Sequence, residues 1–187
     1  MRARVTVKHK SGDVKVTGVK GLVKIKSISG RATVRDVSGG LTIKNISGDV
    51  DASGVSGPLQ VRTVSGKIKV TGSLTSGKVT SVSGSVVLEG IQNVEVRTTS
   101  GAISVKGTLP RGASSKVRSH SGDVALALKA PAGLKYSART FSGDIEVTLP
   151  GKKKQEHDDR VKGVHGTGGA SLEMRSFSGD LELIIIN

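Results

Sequence analysis

The residues of this chain best placed to do chemistry are its lysines and arginines. Counting back from each Ser-Gly dipeptide brings Lys8, Lys26, Lys44, Arg62, Thr80, Arg97, Arg118, Arg139 and Arg175 to one repeating position, and eight of the nine are cationic. If that position faces outward from a stacked repeat, the charges form a column, and such a column attracts a linear polyanion. Lys8, Lys26, Lys44, Arg62, Arg97, Arg118, Arg139 and Arg175 are therefore the candidate polyanion-binding residues. Teichoic acid, lipopolysaccharide, an acidic polysaccharide and nucleic acid all have the required charge. The competing role is a solvated face that keeps a strand-rich protein from pairing at its edges. Nucleic acid ranks low among the ligands, because Tyr136, Phe141 and Phe177 are the only aromatic residues and promise no stacking platform.

The other candidates are weaker. Asp13, Asp49, Asp123, Asp144 and Asp180 each follow a Ser-Gly, as carboxylates do in calcium-binding β-rolls, but Arg31 and Lys67 interrupt the series. Turn-forming aspartate is the better reading. Glu146 and Glu182 fall on neighbouring repeats beside Asp144 and Asp180, which invites comparison with paired glycosidase carboxylates. No aromatic-rich cleft accompanies them, so salt bridging is favoured. His9, His120, His157 and His165 lack metal-ligand spacing, and the Gly163 to Gly169 stretch lacks the Gly-Lys-Ser/Thr of a phosphate loop. No serine sits in a Gly-x-Ser-x-Gly elbow, and there is no cysteine. The reading is of a non-enzyme, with no catalytic residue, no metal and no cofactor.

The elements that must position these residues are set by a repeat. Ser11, Ser29, Ser47, Ser65 and Ser83 each precede Gly at steps of 18 residues, and the series continues at Ser100, Ser121, Ser142 and Ser178 with steps of 17, 21, 21 and 36. A half-period shows as well, since Gly12, Gly21, Gly30, Gly39, Gly48, Gly57 and Gly66 recur every nine residues. Each half carries alternating apolar residues and a third one assigned to the corner, as in Val14, Val16, Val19, then Val23, Ile25, Ile28, and later Val64. Alternation is the strand period. One such unit cannot bury its own apolar face, but stacked units make a continuous core. The fold class is therefore an all-β, single-domain parallel β-solenoid (β-helix) over residues 1–187, of about nine turns of 18 residues, each of two nine-residue strand-turn halves. Residues 1–99 form the regular turns, and residues 100–187 carry loop insertions, the largest a polar, loosely held stretch at about 151–170. Two similar sheets are favoured over a three-sided coil.

Composition agrees with this reading. The chain has 26 Gly, 35% apolar and 2% aromatic residues, and a formal charge of +14. No apolar stretch is long enough for a signal peptide or a membrane span, which places the protein in the cytoplasm if the chain is complete as given.

The closing repeats carry a resemblance. Arg139-Thr-Phe-Ser-Gly-Asp-Ile-Glu-Val and Arg175-Ser-Phe-Ser-Gly-Asp-Leu-Glu-Leu, with Gly-Thr-Gly-Gly-Ala between them, resemble a bacterial adhesin domain family of unknown function. The resemblance implies a β-solenoid, a cell-surface or envelope location and no catalytic residues to carry over. A weaker resemblance is to the bactofilins, cytoplasmic filaments built on a similar short-turn β-helix. The function expected is that of a structural, adhesin-like envelope protein that binds an anionic polymer or polysaccharide through its basic column. The alternative is a filament assembled end to end through edges such as Arg4-Val5-Thr6-Val7 and Leu181 to Ile186, and a polysaccharide-active enzyme comes third.

Overall fold

Val, Ile and Leu at every second position give each segment one apolar face, and their branched side chains favour the extended backbone. The computed structural model describes residues 3–130, 132–150, 152–156 and 159–186, and these form strands and turns with no helix among them. β1 (Ala3–His9) and the first half of β2 (Val14–Ser29) make the first turn. The rest of β2 with β3 (Ala32–Ser38), then β4 (Leu41–Ser47) with the first half of β5 (Val50–Ser65), make the second and third. The rest of β5 with the first half of β6 (Ile68–Ser83), then the rest of β6 with β7 (Val86–Ile91), make the fourth and fifth. β8 (Val94–Ser100) with β9 (Ile103–Thr108), and β10 (Ser114–Ser121) with β11 (Val124–Lys129), complete seven turns in chain order.

Each half-turn pairs in parallel with its equivalent one turn later, as in Val5 with Val23, Val14 with Ala32 and Val61 with Val79. Two ladders result, one for each half, as the nine-residue half-period implies. Their inward side chains share one core, in which Ile25, Ile43, Ile68, Val79, Leu88 and Val96 are fully buried. Stacking like residues on like keeps the core the same width at every turn.

The C-terminal turns depart from the expected winding. β12 (Leu134–Arg139) and β13 (Ile145–Leu149) are followed by β14 (Lys152–Glu156), β15 (Arg160–His165), β16 (Ala170–Arg175) and β17 (Leu181–Ile186). β10 pairs with β16, matching Val117 to Met174, and β16 then pairs with β12, matching Leu172 to Tyr136. β17 likewise lies between β11 and β13. The last turn of the chain is thus inserted beneath the one that precedes it. β14 and β15 run antiparallel to β13 and β12 and cover the far edge. Nine successive turns were expected; seven wind in order, and two rungs follow in reversed order under an antiparallel pair.

The stretch at 151–170 is correspondingly not a loose loop where it is described. Val161 is buried against the core, and Val161 and Lys162 alternate as a strand requires. An outer rung left unpaired would expose its amides and carbonyls, and the returning strands satisfy them. His157 and Asp158 lie outside the described residues.

The Ser-Gly corner is what holds the rungs in register. Gly66 has φ +120°, and a Cβ there would lie 2.3 Å from the carbonyl oxygen of Gly48 in the turn below. Only glycine permits both the backbone angle and that approach. The corner also divides the third apolar residues of the two halves. Val37 and Val55 in one half are buried, but Ile28 and Val64 in the other half are about half exposed. There the strand keeps its two-residue alternation up to the Ser-Gly, so Ser27 and Thr63 point inward instead. Their hydroxyls donate to the carbonyl oxygens of Ser29 and Ser65 at 3.2 and 3.1 Å, which satisfies polar groups that the sharp corner turns toward the core.

Candidate functional site

The cationic residues singled out from the sequence form one continuous column. Lys8 is paired in register with Lys26, Lys26 with Lys44, Lys44 with Arg62, and Arg62 with Thr80. Thr80 is followed by Arg97, then Arg118, then Arg175 and only then Arg139, because the last two turns are exchanged. Arg160 extends the column by one rung, opposite Arg139. Counting in steps of a turn could not find Arg160, since it arrives on an antiparallel strand. Between the end strands β1 and β15 each of these residues sits on a strand paired at both sides, and successive rungs set the charges about 4.8 Å apart.

The column divides by its neighbours. Two residues earlier on the same outward side runs a second row, Thr6, Lys24, Thr42, Gln60, Lys78, Glu95, Lys116 and Glu173. Glu95 binds Arg97 at 2.9 Å and Lys78 at 3.0 Å. Glu173 binds Arg118 at 3.4 Å and also Arg175. The hydrogen bond from Lys78 does most to hold the Glu95 carboxyl below its usual range, and the charges of Lys78 and Arg97 add to it against an opposing contribution from partial burial. Lys8, Lys26, Lys44 and Arg62, by contrast, have no carboxylate partner among the described residues. A groove of about 460 Å³ opens over this N-terminal stretch and is lined by Arg4, Lys8, Lys24, Lys26 and Lys44, with no acidic residue.

A family model described as Toastrack DUF4097 matches residues 3–184. The chain belongs to that family. Toastrack is a family of unknown function, so membership supplies a kind of fold and no activity. No curated protein matches the chain, and no solved structure does.

The remaining candidates in this Toastrack chain are occupied by structural work. Asp13, Asp49 and Asp123 each accept a hydrogen bond through Oδ1 from the backbone amide of the residue above, Arg31, Lys67 and Asp180, and Asp180 does the same for Asp144. Each carboxylate thus caps the next rung, which is the turn-forming role. Glu146 and Glu182 are paired in register on adjacent rungs, as the repeat requires, and both are half-buried. His165 sits on β15 opposite Leu134, and among the described residues no group of three His, Asp or Glu could hold a metal.

One expectation about the aromatics is corrected. Tyr136 is buried, but Phe141, Phe177 and His120 do meet, because Ser142, Ser178 and Ser121 beside them stand on consecutive rungs. His120 stacks on Phe177 at 5.0 Å and Phe177 on Phe141 at 4.9 Å. The exchange of the last two turns sets their order, with Phe177 in the middle where winding in chain order would place Phe141. Phe177 is stacked between the other two rings, and Phe141 at the end of the stack is 71% exposed.

Proposed function

We propose that this chain is a non-catalytic solenoid of the bacterial envelope that holds a linear polyanion along the N-terminal half of its cationic column. The observation that carries the reading is the run Lys8, Lys26, Lys44 and Arg62, in register and without acidic partners among the described residues, beside a groove lined by five cations. Like charges about 5 Å apart repel by just under 1 kcal/mol per pair even in bulk water. A polymer with regularly spaced phosphate, sulfate or carboxylate groups relieves that repulsion and releases its own counterions. The envelope location is supported by the resemblance of the closing Ser-Gly-Asp repeats.

Titration with heparin and with teichoic acid across a salt series tests the reading. The wild type should bind both, more weakly as salt rises, and the Lys26→Ser/Lys44→Ser/Arg62→Ser variant should lose roughly tenfold or more in affinity. Unchanged affinity in that variant removes the column as the site. End-to-end assembly is the weaker reading. The far end carries β14 and β15 antiparallel to the coil and offers no Ser-Gly corner for a second copy to continue.

A further inference from the structure

Two residues later than the cationic column on each strand runs a third outward row that is largely apolar. Lys10 holds this place on the first rung, and Ile28, Ile46, Val64, Val82, Thr99, His120, Phe177 and Phe141 follow on successive rungs, each one residue before a Ser-Gly serine. Of the eight large apolar side chains exposed among the described residues, six are on this row. The aliphatic four are 47–51% exposed, and Phe141 is 71% exposed. The chain contains only two phenylalanines, and both are spent here and not in the core. A contiguous apolar strip of this kind is uncommon on a protein with no partner for it.

The row lies two residues along each strand from the cations, so apolar and cationic side chains project from the same side about 7 Å apart over a length of about 34 Å. At the N-terminal end a second groove of about 450 Å³ joins the two, lined by Lys8, Lys10, Lys26 and Ile28 among others. A soluble polyanion has no use for the apolar row. A second copy packed on it would bring two cationic columns side by side. An anionic lipid surface satisfies both rows at once, with headgroup phosphates against the lysines and arginines and the small apolar side chains and ring edges entering the acyl boundary.

We propose that this edge of the solenoid lies along an anionic lipid bilayer, with the cationic column on the headgroups and the Ile28-to-Phe141 row inserted beside them. The proposal rests on the cationic column being the polyanion-binding surface, and names the lipid surface as the place where that polyanion is met. The side chains of this row lie outside the buried core, so replacing them with Ser leaves the core residues in place.

Co-sedimentation with vesicles of phosphatidylcholine containing phosphatidylglycerol, run beside heparin titration, separates the two ideas. Wild type should bind the anionic vesicles and ignore pure phosphatidylcholine. Ile46→Ser/Val64→Ser/Val82→Ser and, separately, Phe141→Ser/Phe177→Ser should lose vesicle affinity, roughly tenfold for the aliphatic triple, and keep heparin affinity. Lys26→Ser/Lys44→Ser/Arg62→Ser should lose both. Wild-type vesicle binding in the two apolar variants overturns the bilayer proposal and leaves the polyanion reading standing, as does heparin binding without vesicle binding in the wild type. A wild-type dimer that the aliphatic triple converts to monomer, with vesicle binding unaltered, assigns the row to self-association and overturns the proposal as well. Failure of the wild type to bind either ligand sinks both.

Discussion

The N-terminal and C-terminal turns are built on the same corner and differ in what they do with it. From Ala3 to Lys129 each rung rests on the one before it in the chain, and the column cations of the first four turns, Lys8, Lys26, Lys44 and Arg62, stand without acidic partners among the described residues. Beyond Lys129 the rungs are shuffled, the far edge is closed by antiparallel strands, and Glu173 neutralises Arg118 and Arg175. The difference teaches that the Ser-Gly corner specifies how two rungs align and not which two rungs meet. The rungs of β10, β12 and β16 offer the same glycine and the same inward hydroxyl, from Ser119, Thr140 and Ser176, so β10 accepts β16 as readily as it would accept β12. Connection lengths and edge closure decide the order.

The order of the rungs gives the largest expected effect, because the outcome is all or none. The chain has no cysteine. Outward residues on adjacent rungs are about 4.8 Å apart between Cα atoms, within disulfide range, and those two rungs apart are at about 9.6 Å, outside it. Lys116→Cys/Glu173→Cys should therefore oxidise to a crosslinked monomer, and Lys116→Cys/Ser137→Cys should not, as read by mobility before and after reduction. Winding in chain order would reverse the two results.

The corner itself comes next. Gly66→Ala places a Cβ against the Gly48 carbonyl at a backbone angle that alanine avoids, and should cost about 3 kcal/mol or more in denaturant unfolding. Gly18→Ala, at φ +70° with nothing within 4 Å of the added carbon, should cost only about 1 kcal/mol. Equal costs would mean that contact between rungs is not what the Ser-Gly glycine provides.

Much of this was legible from the sequence, and the misses share a cause. The repeat, the two halves and the column from Lys8 to Arg175 follow from counting, because each residue's face is fixed by its distance from a Ser-Gly. Arg160 and the order of Arg139 and Arg175 did not follow, since identical corners carry no address for their neighbours. The apolar row did not follow, because Ile28 and Val64 at the corner look like the same third apolar residue as Val37 and Val55, which are buried. The hydroxyl residue just before each of them, Ser27 or Thr63, was the available signal, as its side chain takes the inward place at the corner.

The smallest expected effect concerns the neutralised half. The Glu95 carboxyl is held below its ordinary value of 4.5, so its ion pairs contribute stability above that value and lose it as pH falls through the lowered one. The same protonation frees Arg97 and Lys78. In the Lys26→Ser/Lys44→Ser/Arg62→Ser background, heparin affinity should rise on acidification below about pH 4.5, and Glu95→Gln/Glu173→Gln should raise it a few-fold at neutral pH. No gain in either case would mean that the acidic partners do not mask the C-terminal cations.

The central claim is that the unpaired N-terminal cations, and not the column as a whole, hold the polyanion. The most direct measurement compares two triple variants, Lys26→Ser/Lys44→Ser/Arg62→Ser and Arg97→Ser/Arg118→Ser/Arg175→Ser, for heparin affinity and its salt dependence. Both remove three charges from the same column, so net charge alone predicts equal losses. The account predicts a loss of roughly tenfold or more and a flatter salt dependence for the first, with a change of less than about threefold for the second. Equal losses in the two variants, or a larger loss in the second, would contradict it.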